Sequence, residues 1–282
     1  MRFLLKNPHE PSYFKMSILR NLLFPRGFTI VFAFLATLYT ATLNGCAHSP
    51  RHNALFQTST ISALSQGMYN GDMSFSQLRQ QGDFGIGTFN DLDGEMIALD
   101  GFFYQAKTDG NLYPLSLQET KTPFATVTFF SSDITQTVNR QTTQAELKQT
   151  IDRFLKSQNI FYAIKVKGTF PYIKVRSVPA QKKPYPALDT AVQDQVIFEF
   201  ENIKGTLVGF WCPAYAPKIN VPGYHFHFIS KDKKKGGHVL DFTITNATIA
   251  IDEKTTIEIT LPSTEDFYTI DTARESQGLA EK

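Results

Sequence analysis

The stretch QVIFEFENIKGTLVGFW, residues 195–211, is rich in β-branched and aromatic residues, which are typical of strands. Similar stretches lie before and after it, each bounded by glycine, proline or charged residues: FYAIKVKGTF (161–170), YIKVRSV (172–178), GYHFHFI (223–229), GHVLDFTITNATIAI (237–251) and TTIEITL (255–261). So many strands would make one very wide open sheet. The predicted fold is therefore β-rich α+β, with two packed mixed or antiparallel sheets and a few short helices.

Helices and one hairpin are predicted upstream of these strands. Thr143 and Glu146 have the spacing of a capping box. Apolar residues then recur at the spacing of one helical face: Leu147, Ile151, Phe154 and Leu155. Two shorter helices are expected within residues 58–82. The pair Asp109-Gly110 predicts a hairpin turn within the stretch EMIALDGFFYQAKTDGNLYPL, residues 95–115.

The composition excludes several classes of protein. Of the 282 residues, 42% are hydrophobic and 19% are charged, which is too apolar and too weakly charged for a disordered chain, a collagen-like chain or a basic nucleic-acid tail. Two cysteines cannot form a disulfide framework. The length fits one domain or two closely packed ones.

The N-terminal residues have the pattern of an export signal. An uncharged stretch, GFTIVFAFLATLYTATLNGC (27–46), follows five basic residues: Arg2, Lys6, Lys15, Arg20 and Arg26. The stretch ends in LNGC (43–46), which resembles a bacterial lipobox, where the signal is removed before a cysteine that is then lipid-modified. We expect a signal peptide over 1–45, lipidation of Cys46 and a tether over 46–57. The protein would then be exported and anchored to a membrane.

Other interpretations of the N-terminus stay open. A long uncharged apolar run can remain as an uncleaved membrane anchor, or an ordinary signal can be cleaved without lipidation. Translation from Met16 would shorten the basic region. If instead the start site is misplaced and the N-terminal residues are not part of the protein, the protein is cytoplasmic. Removal of 1–45 takes five of the 28 basic residues and one of the 26 acidic ones, so 23 and 25 remain. The net charge would change from +2 to −2.

Three histidines lie within fourteen residues of one predicted hairpin. His225 and His227 alternate along a strand, so their side chains project from the same face about 6.5–7 Å apart. A turn near Asp232 and Lys233 would place His238 opposite His227. Three protein ligands with a vacant position are typical of a catalytic zinc. The alternatives are a solvated strand face, or iron, manganese or nickel in place of zinc.

Three stretches closely resemble the α-acetolactate decarboxylase family: GTLVGFWCPAYAPKINVPGYHFHFISKDKKKGGHVLDF (205–242), GDFGIGTFNDLDGEMIALDGFFYQ (82–105) and YIKVRSVPAQKKPY (172–185). The resemblance extends over about residues 58–242 in the same order and spacing. It implies conversion of 2-acetolactate to acetoin and carbon dioxide by a homodimer, with Zn²⁺ held by three histidines. These histidines match His225, His227 and His238.

Further residues carry over from the resemblance. Thr88 matches a substrate-binding position, and Glu95 matches a catalytic position. Arg176 matches a position that takes part in both substrate binding and catalysis. The family also places a C-terminal glutamate near the metal. The tail here departs from the family pattern and offers Glu275 and Glu281, of which we prefer Glu281. The resemblance predicts one catalytic domain over 58–282, with subdomains at about 58–190 and 191–282.

The chemistry explains why these residue types are needed. Loss of carbon dioxide from a β-keto acid leaves electrons that must flow into the ketone oxygen, so a Lewis-acid metal serves as the electron sink for an enediolate. A glutamic acid with a raised pKa can deliver the proton to carbon. An arginine can orient the carboxylate through two parallel hydrogen bonds.

Two rival functions remain at this stage. One is a different metalloenzyme, either a hydrolase or a decarboxylase of a related 2-hydroxy-3-keto acid. The other is a surface lipoprotein that binds metal without catalysis. On the rival interpretations, Arg176 lies on a solvated strand face, while Glu95 and Thr88 are ordinary turn residues. Nucleic acid is not an expected partner, because the three lysines at 233–235 are too few for such a surface.

Overall fold

The computed structural model describes residues 52–272. The strands in this range are β1 (Ala54–Thr58), β2 (Met73–Ser74), β3 (Phe84–Thr88), β4 (Glu95–Leu99), β5 (Phe102–Ala106), β6 (Leu112–Pro114), β7 (Lys121–Thr122), β8 (Ala125–Thr128), β9 (Ile134–Val138), β10 (Thr142–Thr143), β11 (Phe161–Ser177), β12 (Val196–Cys212), β13 (Gly223–Ser230), β14 (Gly236–Lys254) and β15 (Thr256–Thr260). The α-helices are α1 (Ile61–Ser65), α2 (Phe75–Arg79), α3 (Gln144–Asp152), α4 (Leu188–Ala191) and α5 (Glu265–Thr269). Two 3₁₀ turns cover Asn90–Leu92 and Val192–Asp194.

The strands form two large sheets. The first has the order β15-β1-β8-β3-β4-β5-β6 and is antiparallel except for the parallel pair of β1 and β15. The second has the order β10-β14-β11-β12-β13, with β9 on the outer side of β14. Since β13 also pairs with β14, strands β11 to β14 form a closed ring. Each of these four strands is therefore hydrogen-bonded on both sides over part of its length, which protects its edges.

The side chains of β11 alternate between two hydrophobic cores, and this alternation explains how the sheets pack. Tyr162 and Ile164 point into a core that also contains Leu147 and Ile151 of α3. The residues between them, such as Ala163, point into a second core shared with the first sheet. Both faces are therefore buried at the start of this strand, which explains the continuous apolar run over residues 161–164. The predicted architecture of two packed sheets with a few short helices is confirmed.

The predicted start of α3 is confirmed, but the helix ends at Asp152, before Phe154 and Leu155 of the predicted apolar face. Thr143 caps α3 by the expected reciprocal pair, because its hydroxyl accepts from the backbone N–H of Glu146 and the Glu146 carboxylate accepts from the backbone N–H of Thr143. Asp109-Gly110 lies in the connection between β5 and β6, as predicted. A second hairpin turn, Asp100-Gly101 between β4 and β5, was not predicted. Both of its residues have positive φ, of 52° and 80°, as a tight two-residue hairpin requires.

The predicted tether over 46–57 is wrong at its C-terminal end. Residues 54–58 form the buried strand β1, which pairs with β8 on one side and β15 on the other. A five-residue stretch such as ALFQT gives little local signal, and its burial depends on partners far along the chain. The domain therefore begins before residue 58.

The predicted subdomain boundary at 190/191 does not separate two structural units. Strand β11 pairs with β12 from Tyr162↔Trp211 to Ser177↔Val196, so an extensive antiparallel ladder crosses the boundary. Strand β15, from the second predicted subdomain, joins the sheet of the first. The physical reason is that long strands pair with neighbours on both sides, and the division between the sheets does not follow chain order.

The export signal, Cys46 and residues 46–51 of the tether lie outside the described residues, so these predictions remain untested. None of the helices within residues 52–272 has the length and hydropathy of a transmembrane span.

Candidate metal centre

The three histidines converge at the hairpin of β13 and β14. His225 and His227 project from the same face of β13, and His227 lies directly opposite His238 of β14. The ring centroids are 5.2 Å apart for 225–227, 4.9 Å for 225–238 and 5.3 Å for 227–238. One nitrogen of each ring lies within 4.8 Å of the other two. The predicted convergence of the imidazoles is confirmed.

The turn of this hairpin fixes the register. The backbone N–H of Ser230 donates to the carbonyl of Lys235 at 2.8 Å. The carboxylate of Asp232 accepts from the Ser230 hydroxyl at 2.6 Å and from the backbone N–H of Lys234 at 3.2 Å. A slip of one residue would turn His238 to the opposite face, so these bonds help to keep the imidazoles together.

Hydrogen bonding identifies the nitrogen that His227 offers to the cluster. Its Nδ1 lies 2.8 Å from the carbonyl oxygen of Met96. Because a carbonyl only accepts, Nδ1 carries the proton and Nε2 has the free lone pair. Nε2 of His225 and Nδ1 of His238 lie 3.1 Å apart. A carbonyl on the second ring nitrogen is the usual way in which proteins orient a histidine ligand.

The surroundings keep these rings neutral. Burial, together with the positive charge of Arg176, lowers the pKa of His225 to about 4. Burial also places the pKa of His227 and of His238 well below the ordinary value, with added repulsion from neighbouring imidazoles and Arg176. Metal ligation needs unprotonated imidazole. The cluster is therefore ready to bind a cation at neutral pH.

Glu95 lies beside the histidines because of the turn before β4. Gly94 has a φ of +84°, and its backbone N–H donates to the carbonyl of Val178 at 3.1 Å. This turn places Oε2 of Glu95 3.5 Å from Nε2 of His227. Burial raises the pKa of Glu95 to about 7, although the charge of Arg176 acts in the opposite direction. A carboxyl group of this kind can exchange a proton near neutral pH.

Arg176 is part of the cluster rather than a solvated strand residue. It lies opposite His238 in the pairing of β11 with β14. Burial lowers the pKa of its guanidinium, and the nearby Glu95 carboxylate raises it. Nη1 donates to Oε1 of Gln195 at 3.0 Å, while the buried Nε has no partner among the described residues. The site therefore contains a half-buried cation whose buried Nε donor is unused.

Thr88 is buried and lies opposite Glu95 in the pairing of β3 with β4. Its hydroxyl donates to the carbonyl of Gly94 at 2.8 Å, which braces the turn before Glu95. Its predicted contact with substrate remains a prediction. Glu275 and Glu281 lie outside the described residues. Cys212 is buried and its thiol pKa is raised to about 12 by burial, which agrees with a packing role.

Two contributors to the site were missed by the sequence analysis. The Met96 carbonyl is a backbone group, so no side-chain pattern could reveal it. Gln195 contacts Arg176 only because β12 begins beside the end of β11, where Val196 pairs with Ser177. Its position immediately before a predicted strand was the only available signal.

Comparison with known proteins gives a consistent result. Residues 55–274 match the family model described as alpha-acetolactate decarboxylase. The chain is 49% identical over 230 residues to the alpha-acetolactate decarboxylase of Methanosarcina mazei, covering 82% of this chain and 80% of that protein. It is 42% identical over 214 residues to the Bacillus subtilis enzyme of the same name, covering 76% and 84%. A crystal structure of alpha-acetolactate decarboxylase from Bacillus subtilis strain 168 matches with a TM-score of 0.77 and 41% identity, covering 78% of this chain and 94% of that one.

Proposed function

This chain belongs to the α-acetolactate decarboxylase family, and we propose that it converts 2-acetolactate to acetoin and carbon dioxide with a zinc ion bound by His225, His227 and His238. One observation carries the proposal: the three neutral imidazoles share a buried site with the carboxyl group of Glu95 and the guanidinium of Arg176. A protein that only binds metal would need neither of the last two groups.

The residues present fit a zinc ion. Three imidazole ligands that leave one position open form a common catalytic zinc site. Ligands at about 2.0–2.1 Å in a tetrahedral site are separated by about 3.4 Å, close to the 3.1 Å between Nε2 of His225 and Nδ1 of His238. Bound zinc would supply a Lewis acid that draws electrons toward the substrate oxygens. Imidazole also suits iron, manganese and nickel, so zinc is the specific part of this proposal.

Arg176 binds and orients the carboxylate of the substrate. Its guanidinium is positive at every relevant pH and can form two parallel hydrogen bonds to a carboxylate. The partial burial of the site strengthens the attraction, because fewer water molecules screen the two charges. The bound carboxylate is the group that leaves as carbon dioxide, so its orientation determines whether the breaking bond is aligned with the ketone.

Glu95 holds and delivers the proton that replaces the carboxylate on carbon. An ordinary glutamate is almost fully ionised at pH 7, whereas the raised pKa of about 7 leaves Glu95 substantially protonated. Its position on one side of the cluster would direct the proton to one face of the carbon atom. The hydroxyl of Thr88, which braces this turn, is proposed to contact the substrate as well.

Other parts of the proposal concern residues outside the described range. Glu281 is proposed as the C-terminal carboxylate of the site. Cys46 is proposed as a lipid anchor that holds an exported enzyme at a membrane, with a cytoplasmic enzyme as the alternative. A homodimer is proposed from the resemblance to the family alone.

The test is turnover by the purified protein. We expect acetoin to form from racemic 2-acetolactate well above a protein-free blank, activity to disappear with a chelator, and zinc to restore it better than iron, manganese or nickel. Absence of acetoin from protein with zinc demonstrably bound would defeat the proposal. Turnover of a related 2-hydroxy-3-keto acid in place of acetolactate would instead identify a different decarboxylase.

A further inference from the structure

Gln195 makes a specific contact with one end of the Arg176 side chain. Its amide oxygen Oε1 accepts a hydrogen bond from Nη1 of Arg176 at 3.0 Å. The amide carries no charge, so it orients the guanidinium without cancelling the positive charge. A carboxylate at position 195 would compete with any anion that Arg176 has to bind.

The contact leaves the opposite edge of the guanidinium available. A guanidinium presents Nε and Nη2 along one edge, and that edge can pair with both oxygens of a carboxylate. Gln195 uses Nη1, which lies outside the edge. The Nε atom is buried and has no partner among the described residues. A buried donor of a charged group without a partner is unfavourable, so an anion bound at this edge would satisfy it.

The backbone holds Gln195 on both sides. Its N–H donates to the carbonyl of Val192 at 3.2 Å, which closes the 3₁₀ turn before it. On its other side, Val196 and Ile197 pair with Ser177 and Arg176 at the start of β12. Residue 195 is therefore fixed relative to the backbone of residue 176. Such support is what precise orientation of a long side chain requires.

We propose that Gln195 is a positioning residue, which holds the guanidinium of Arg176 so that its Nε–Nη2 edge receives the carboxylate of the substrate. The identity of that carboxylate rests on the proposed function. The hold on Arg176 is a separate structural property and can be measured without turnover.

The first experiment compares crystal structures of the full protein with those of two variants. Gln195→Leu removes the acceptor with little change in size, and Gln193→Leu makes the same change at an exposed residue of the adjacent 3₁₀ turn. We expect the guanidinium of Arg176 to rotate or lose its single conformation in Gln195→Leu and to stay in place in Gln193→Leu. An unmoved guanidinium in Gln195→Leu overturns the proposal.

The second experiment measures kinetics with 2-acetolactate. Loss of one hydrogen bond to a charged group should lower kcat/KM of Gln195→Leu by about tenfold, mainly through KM. Inhibition by acetoin should not change, because acetoin has no carboxylate. In an Arg176→Lys background, Gln195→Leu should cause no further loss, because the two residues act through one contact. Gln193→Leu should match the wild type.

The outcomes separate this inference from the proposed function. A wild-type protein that makes no acetoin refutes the function, and the crystal structures still decide whether Gln195 holds Arg176. An active wild type with unchanged kcat/KM in Gln195→Leu refutes the positioning role. An additional tenfold loss in the Arg176→Lys background, or weaker inhibition by acetoin, would show that Gln195 acts independently of Arg176 and also overturns it.

Discussion

Oε2 of Glu95 lies 3.5 Å from Nε2 of His227, although the two residues belong to different sheets. The next residue of β4, Met96, accepts a hydrogen bond from the other nitrogen of the same imidazole. One strand of the first sheet therefore contacts both nitrogens of a histidine in the second sheet. The Met96 carbonyl of the first sheet selects the tautomer of His227. Under the proposed function, the first sheet also supplies the proton carrier and the second sheet supplies the metal ligands.

Glu95→Gln should separate metal binding from catalysis. The amide has nearly the same shape but no acidic proton to donate, so we expect kcat to fall by about 10²–10⁴-fold. Zinc content, measured on the purified protein, should remain at the wild-type level. Loss of zinc from this variant would show that Glu95 is a metal ligand rather than a proton carrier.

His238→Ala should abolish zinc binding and activity together. Two remaining imidazoles form an incomplete site, so the zinc content should fall from about one per chain to near zero. His52→Ala is the matched control, because His52 is exposed and lies outside the cluster. Retention of a full zinc equivalent by His238→Ala would contradict the assigned ligand set.

Gly94→Ala should damage the site more than Gly101→Ala does. Both glycines have φ near +80°, so each substitution carries a backbone strain of about 1 kcal/mol. A Cβ at Gly94 would also lie 2.3 Å from the carbonyl oxygen of Ala106, whereas a Cβ at Gly101 has no neighbour within 4 Å. We expect Gly94→Ala to lose about 1–2 kcal/mol more unfolding free energy than Gly101→Ala. It should also lose most of its activity. Chemical denaturation and turnover would measure the two effects, and equal losses in both variants would contradict this explanation.

Acidification should destabilise the metal-free protein. The pKa of His225 falls from 6.5 to about 4 on folding, and those of His227 and His238 fall as well. Between pH 6.5 and about 4 the unfolded chain therefore binds more protons, and unfolding free energy decreases as pH falls, by up to about 1.4 kcal/mol per pH unit for each histidine.

Glu95 has the opposite sign in this pH range. Its folded pKa of about 7 exceeds its ordinary value of 4.5, so the folded protein binds the extra proton and gains stability as pH falls. Denaturation of metal-free protein at several pH values between 7.5 and 4.5 would measure both effects. The decline should be steeper in Glu95→Gln and shallower in His238→Ala. An equal slope in all three proteins would contradict these pKa shifts.

Cys46→Ala should prevent lipid modification. If the N-terminal signal is of the lipoprotein type, expressed wild-type protein should incorporate labelled palmitate and fractionate with membranes, whereas the variant should do neither. Cys212→Ala serves as the control, because the Cys212 thiol is buried. Unlabelled wild-type protein in the soluble cytoplasmic fraction would remove the lipoprotein interpretation.

The strand-rich architecture and the histidine cluster were predictable because both depend on short-range patterns. His225 and His227 share a face through the two-residue period of a strand, and hairpin geometry then places His238 opposite His227. The boundaries of the domain were harder to predict from the sequence. The strand over residues 54–58 has a weak local signal, and its parallel partner is β15 at the other end of the domain.

Local patterns in the amino-acid sequence identify the groups of the candidate site: three imidazoles within one hairpin, a glutamate after a glycine turn and an arginine in a strand. The protonation states of these groups depend on the fold. Burial between two sheets keeps the imidazoles neutral and raises the pKa of Glu95, and the Met96 carbonyl selects the tautomer of His227. The contact of Gln195 with Arg176 likewise exists only because β11 and β12 pair in one register. Solvation and pairing depend on neighbours far along the chain, which no local pattern of residues specifies.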